Sequence, residues 1–314
     1  MVATFTREAI DCRDRALWAI RLGSMECARG IFHATPDYIR VSKPLRPVPA
    51  FGYSADNPLP EPPAMRHSTD LIHIPRPVVA LSDEYAGNFV DPPHRHDRAQ
   101  LLYASSGVMS VVTDEGSFVI PPQRAVWIPP SVEHAVTCRS PVSVRTLYIS
   151  LQDGMPTRCR VIEVSELLRA LILEAMSFPP EYDMDGREGL IVRLLLQSIN
   201  TMPVAPLCAR MPNDQRLARV CRQILLDPSR DDTLDEWAAT ACMSRRTLTR
   251  LFRQETGMSL AGWRQHVRLL EAVARLACGH AVTTIAYDIG YNSPSAFTAV
   301  FQRTFGTAPS RYLS

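Results

Sequence analysis

The chain has 314 residues, 46% of them hydrophobic, with a formal net charge of +2. That is the make-up of ordinary globular protein with room for two domains. No apolar run approaches the roughly 18–20 residues that a membrane-crossing helix needs, and Met1–Arg15 lacks the apolar core of a secretory signal. The expected setting is cytoplasmic, with no membrane partner.

Residues 1–64 do not pattern as a packed domain. Pro36–Ala64 carries eight prolines, which break helices and are excluded from central strands. Two readings stand side by side: a Pro-rich disordered arm, or upstream sequence outside the native chain, with translation starting at Met65.

Residues 65–155 read as a small all-β domain. Short runs rich in Val, Ile, Leu and Tyr fall at Gln100–Ala104, Val108–Thr113, Ser117–Ile120, Ala125–Ile128, Ala135–Cys138 and Val144–Leu151. Asp114-Glu115-Gly116 supplies a hairpin-type turn. Many short strands at close spacing predict a barrel or sandwich. Residues 156–213 then switch to helical period: Leu167, Leu168, Leu171 and Ile172 form one stripe, and Leu190, Leu194 and Leu195 with Ile191 and Ile199 form another. These two helices would serve either as a homodimer interface or as packing against the barrel. Pro203–Pro212, with three prolines, reads as a linker.

Residues 214–314 form the basic end of the chain: 13 Arg against 9 acids give +4, whereas residues 1–213 sum to −2. A basic domain suits nucleic acid. This region also repeats itself. Ala238, Ser244, Leu248, Leu251, Phe252 and Gly257 have counterparts in Ala286, Ser293, Phe297, Val300, Phe301 and Gly306. Both Ser-to-Gly steps span 13 residues, and the copies lie 49 residues apart. In the first copy, Thr233 and Glu236 make a capping box, Ser244 caps a second helix and Gly257 ends it. Leu248, Leu251 and Phe252 share one face of that helix. Arg246, Thr249, Arg250 and Arg253, at i, i+3, i+4 and i+7, share the other. A short helix, a turn and a helix with an arginine face meet the demands of major-groove reading, because a guanidinium donates two hydrogen bonds to guanine O6 and N7 or neutralises a phosphate. In the second copy Thr283 or Thr284 is expected to start the supporting helix, and Ser293 caps the next, with Pro294 at its first position. Its outward face, Ser295, Thr298, Ala299 and Gln302, has no arginine and is expected to make weaker or phosphate-directed contact. Between the copies, Ser259 caps a long apolar-periodic run, Leu260–Cys278, a rod of roughly 28 Å at 1.5 Å per residue.

Residues 214–313 closely resemble the AraC/XylS family of bacterial regulators. The resemblance rests on Leu234–Ala241, Met243–Phe252, Glu255-Thr-Gly257, Trp263–Leu270, Ile285-Ala286, Gly290–Phe297, Phe301, Phe305-Gly306, Pro309 and Tyr312. It implies a double helix-turn-helix bound to double-stranded DNA, with base-reading positions at Arg246, Thr249 and Arg250 in the first unit and Pro294, Ser295, Thr298 and Ala299 in the second. Arg245, Arg253, Ser293 and Gln302 complete the expected DNA-contacting set.

In the β region, His94-Arg-His96-x3-Gln100-x6-Gly107 and Pro129-Pro-Ser131-Val-Glu-His134 look like the two cupin motifs. Gln100 stands where the acidic ligand usually falls, and Ser131 where a glycine does. The resemblance implies a cupin-like barrel sensing a small-molecule effector of unknown identity. Candidate lining residues are His94, His96, Gln100, Trp127 and His134. His94, His96 and His134 also form a candidate site for zinc or nickel. The expected architecture is therefore α+β in two domains, an all-β cupin-like barrel followed by an all-α double helix-turn-helix domain. It implies a transcription regulator, either activator or repressor. Two rivals are a metal-dependent cupin enzyme with an accessory DNA-binding domain, and a constitutive DNA binder whose barrel serves only dimerisation.

Overall fold

The computed structural model describes residues 73–313; both readings of residues 1–64 lie outside the described residues. Two antiparallel sheets face each other. The first runs in the order β1 (Val78–Tyr85), β8 (Val142–Ile149), β3 (Ala99–Ser106), β6 (Arg124–Ile128), β9 (Arg160–Glu163), β10 (Val204–Ala205). The second runs β11 (Cys208–Arg210), β5 (Gly116–Ile120), β4 (Met109–Thr113), β7 (His134–Cys138), β2 (Val90–His94). The turn at Asp114-Glu115 forms as expected, with the Thr113 hydroxyl accepting from the N–H groups of Glu115 and Gly116 at 3.1 and 3.2 Å.

Strand alternation sorts each sheet's side chains into two layers. On β3 and β6, Leu102, Val126 and Ile128 join Val111, Phe118 and Ile120 between the sheets. Leu101, Tyr103, Ala125 and Trp127 point the other way, beneath α1 (Glu166–Ala175) and α2 (Arg187–Thr201). Ser165 caps α1 by accepting from the Leu168 N–H at 3.2 Å. The helices bury Leu168, Leu171, Ile172, Val192, Leu195, Leu196 and Ile199. Leu167, Leu190 and Leu194, expected on the apolar stripes, stay 56%, 61% and 44% exposed.

Two strands lie where a linker was expected. Residues 203–212 supply β10 and β11, which pair with β9 and β5. The prolines sit beside these short edge pairings, where a missing N–H is tolerated.

The remaining helices are α3 (Gln215–Leu226), α4 (Leu234–Thr240), α5 (Arg245–Thr256), α6 (Leu260–Ala277), α7 (Val282–Asp288) and α8 (Pro294–Phe305). Trp237, Leu248, Phe252, Trp263, Ile285, Phe297 and Phe301 are nearly or fully buried and fill their centre. This core is continuous with the one between the sheets.

Candidate nucleic-acid interface and barrel site

The first helix-turn-helix is built by its caps. The Glu236 carboxylate accepts from the Thr233 N–H at 2.6 Å and the Thr233 hydroxyl accepts from the Glu236 N–H at 3.4 Å, closing the capping box at the start of α4. Ser244 accepts from the Thr247 N–H at 3.2 Å and starts α5. Gly257, left-handed at φ 75°, ends it. Leu248 and Phe252 are fully buried, which turns the opposite face to solvent. Arg245, Arg246, Thr249, Arg250, Arg253 and Gln254 line one open concavity. Arg245 is held by Asp235 of α4 at 3.2 Å, and Arg250 donates to Gln254 at 3.4 Å. Arg246, Arg250 and Arg253 form no ion pair among the described residues, so their charge remains available to a polyanion. Other arginines of this region are used internally. Arg268 donates to the carbonyls of Pro228, Ser229 and Gly290, and Arg264 pairs with Asp231 at 3.3 Å. The +4 of the domain is therefore less telling than the location of three cations on one helix face.

In the second unit neither Thr283 nor Thr284 caps the supporting helix. It starts at Val282 with Ala281 at the cap and no side-chain hydrogen bond there. Ser293 does cap α8, accepting from the Ala296 N–H at 3.2 Å. Ser295, Ala299 and Gln302 are exposed, whereas Pro294 and Thr298 are half-buried. Arg303, also exposed, puts a cation on the last turn. The outward pattern counted from Ser295 stopped one residue short of it; the i+4 step from Ala299 reaches it.

At the barrel mouth His94 and His134 are cross-strand partners on β2 and β7, with ring centroids 4.3 Å apart. The His96 ring lies 5.3 Å from that of His134. Ser131 takes φ 62°, the left-handed region in which the second motif usually has glycine, and its N–H donates to the His96 carbonyl at 2.8 Å. The two motif loops are thus tied together. Gln100 is buried beside His96, at 3.2 Å from Nε2. Burial pushes His134 down to about 4, so its ring is neutral at physiological pH. Tyr148, paired with Gln100 across β3 and β8, stands edge-on to His96 at 5.2 Å; the strand pattern placed it in a strand without revealing which face it shares. Trp127 does not belong to this group. It pairs with Leu101 rather than Gln100, faces α1 and α2, and donates to the Pro156 carbonyl at 2.9 Å. The period-2 alternation that puts Gln100 inside puts Trp127 outside.

The barrel and the helical domain meet along α6. Trp263 Nε1 donates to the Arg210 carbonyl at 2.8 Å, and His266 lies 3.1 Å from the Cys208 carbonyl. Arg139, in the β7–β8 turn, pairs with Glu271 at 2.7 Å.

A two-sheet domain followed by paired helix-turn-helix units, one with an arginine face, defines a DNA-binding regulator with a sensor domain. Residues 77–199 match the family model of the AraC-like ligand binding domain, and residues 237–314 match that of a helix-turn-helix domain. The HTH-type transcriptional regulator NimR of Escherichia coli K12 is 30% identical over 71% of this chain and 82% of its own. The arabinose operon regulatory protein of Salmonella typhimurium is 30% identical over 53% of this chain and 59% of its own. Among solved structures, ToxT from Vibrio cholerae superposes at TM-score 0.33 and 14% identity, covering 76% of this chain and 97% of that one. The DNA-binding domain of AdpA in complex with a target DNA covers 31% of this chain and 87% of that one, at TM-score 0.29 and 34% identity. The chain belongs to the AraC family of transcriptional regulators. No helix among the described residues is long and apolar enough to cross a membrane.

Proposed function

We propose that this protein is a cytoplasmic, sequence-specific regulator in which α5 enters the major groove and the barrel adjusts the grip. The observation that carries this reading is the exposed face of Arg246, Arg250 and Arg253, which form no ion pair among the described residues, with Thr249 between them on a well-capped helix. Arg246, Thr249 and Arg250 face base edges, and Arg253 faces phosphate. The shorter side chains of α8, Ser295, Thr298, Ala299 and Gln302, with Ser293 at its cap, hold the backbone and add little base discrimination. α6, 18 residues long, is a rod of about 27 Å joining the two units. Successive major grooves on one face lie about 34–36 Å apart, so DNA bending helps both units engage.

A small molecule at the barrel mouth, among His94, His96, Gln100 and His134, acts on DNA binding through the contacts that β11 and the β7–β8 turn make with α6. Leu167, Leu190 and Leu194, exposed on the helices that cover the barrel, form the contact between two copies in a homodimer. Selection of genomic fragments by the purified protein tests the reading. It predicts recovery of one sequence on the order of 10³-fold above bulk DNA; equal recovery of all fragments sinks it.

A further inference from the structure

The two DNA-binding units are joined by α6, and also by one side chain in the middle of it. Arg268 is half-buried. Its Nε donates to the Pro228 carbonyl at 2.8 Å, and its Nη2 to the carbonyls of Ser229 and Arg230 at 3.1 and 3.2 Å. Those carbonyls belong to the loop between α3 and α4, which leads into the first helix-turn-helix. Its Nη1 donates to the Gly290 carbonyl at 3.3 Å. Gly290 lies in the turn between α7 and α8, inside the second unit.

Both ends of this clamp are themselves fixed. In the loop, the Asp227 carboxylate accepts from the Ser229 N–H at 3.1 Å, and Arg264 donates to the carbonyls of Arg230 and Asp232 at 3.4 and 3.3 Å. In the turn, Gly290 is left-handed at φ 85°, its N–H donates to the Tyr287 carbonyl at 3.0 Å, and the Tyr291 N–H donates to the Ala286 carbonyl at 2.9 Å. Loop and turn approach closely: a Cβ on Gly290 would lie 3.0 Å from Arg268 Nη2 and 3.2 Å from the Ser229 carbonyl oxygen. A main-chain carbonyl cannot swing away as a carboxylate side chain can, and a guanidinium offers its donors in a rigid planar fork. One side chain thus ties the backbone of the first unit to that of the second.

We propose that Arg268 is a positioning residue that sets the spacing and phase at which the two units meet DNA, and so makes the protein selective for the separation of its half-sites. One added base pair moves the second half-site by about 3.4 Å and turns it by about 35° around the duplex. A clamped pair of units cannot follow that change, whereas a loosened pair can. The consequence at the operator rests on the DNA-binding reading; the clamp itself does not, and it is measurable without DNA.

The test uses the full-length chain with spin labels on keto amino acids at Gln254 and Thr304, exposed positions on α5 and α8. Pulsed electron resonance measures the label-to-label distance in the absence of DNA. Unlabelled protein is titrated with the fragment recovered by genomic selection, with that fragment lengthened or shortened by one base pair between its footprinted half-sites, and with the first half-site alone. The wild type should give one narrow distance distribution, and should lose affinity on the order of 10- to 100-fold when a base pair is added, as linked binding is forfeited. Arg268→Met broadens the distribution and makes the three spacings nearly equal. It leaves binding to the first half-site alone unchanged, because Asp227 and Arg264 still hold the loop. Arg268→Lys, which keeps the charge and loses the fork, falls between. Arg264→Met is the control: among the described residues Arg264 bonds to the loop and not to the second unit, so the spacing preference persists. A distribution unchanged in Arg268→Met, an equal loss on the half-site and the full site, or the same effect from Arg264→Met overturns the proposal. If Arg268→Met fails to fold, Arg268→Lys decides by the same readouts. If no fragment is selected, the DNA-binding reading fails and the label distance still decides the clamp.

Discussion

Arg139 of the barrel and Glu271 of α6 meet at 2.7 Å, and Glu271 also accepts from Arg275 at 2.8 Å. Arg275 in turn pairs with Asp288 of α7 at 2.8 Å. One chain of charges therefore runs from the sensor domain, across the connector helix, to the supporting helix of the second DNA-binding unit.

Glu271 is the shared acid in that chain and its side chain is only 14% exposed. Glu271→Gln leaves Arg139 without its carboxylate and Arg275 with Asp288 alone. The expected loss is about 1.5–3 kcal/mol, the range for hydrogen bonds to charged groups. Urea unfolding of the full chain measures it. A change below about 0.3 kcal/mol means that the contact is an ordinary surface pair.

Trp263 is fully buried, and its Nε1 donates across the domain junction to the Arg210 carbonyl. Trp263→Phe keeps most of the apolar volume and removes the donor, leaving that carbonyl unsatisfied. We expect a cost of about 1–3 kcal/mol and faster proteolytic cutting between the domains. Unchanged cutting and stability contradict the junction described above.

His266 gives the junction a pH dependence. Burial lowers its pKa, outweighing the opposing effect of the Cys208 carbonyl. The folded state thus holds the ring neutral at pH values where the unfolded chain already protonates it. The unfolded state then binds more protons, so stability rises with pH. His266's contribution is complete above about pH 6.5, the ordinary histidine value, and declines as pH falls below it. His266→Gln removes the titrating ring, so the stability difference between wild type and variant should change between pH 7 and pH 5. A difference that stays constant over that range rules out a depressed pKa.

Two glycines of equal φ should respond differently to a methyl group. Gly107 and Gly257 both sit at φ 75°. A Cβ on Gly107 would lie 2.1 Å from the Pro141 carbonyl oxygen, whereas one on Gly257 meets nothing within 4 Å. Gly257→Ala then carries only left-handed strain, about 1–2 kcal/mol. Gly107→Ala adds a backbone clash and should cost on the order of 3 kcal/mol or more. Thermal unfolding of the two variants checks the order.

The helical half was largely legible because its signals are local. Ser244, Ser259 and Ser293 are caps, Gly257 and Gly306 are left-handed ends, and the apolar positions fall at helical spacing. Thr283 and Thr284 misled because either can cap, yet the helix starts at Val282 with Ala281 at its cap and no side-chain hydrogen bond there. Edge strands were harder. β2 contains Pro92 and Pro93 and β10 has two residues, so neither carries an alternating run. Such strands exist because a neighbour offers hydrogen bonds, which is a tertiary fact. The histidine cluster was legible only through the resemblance to the two cupin motifs; the facing of Trp127 required the register of β3 against β6.

Base reading by Arg246 and Arg250 of α5, as proposed above, is open to direct measurement. It is tested by measuring operator affinity of the wild type, Arg246→Ala and Arg250→Ala across a salt series, on the operator and on base-substituted variants. Each substitution is expected to lose about 1–3 kcal/mol and to relax preference at one base position. A uniform loss on every DNA, with a shallower salt slope and unchanged base preference, would place both arginines on phosphates and contradict it.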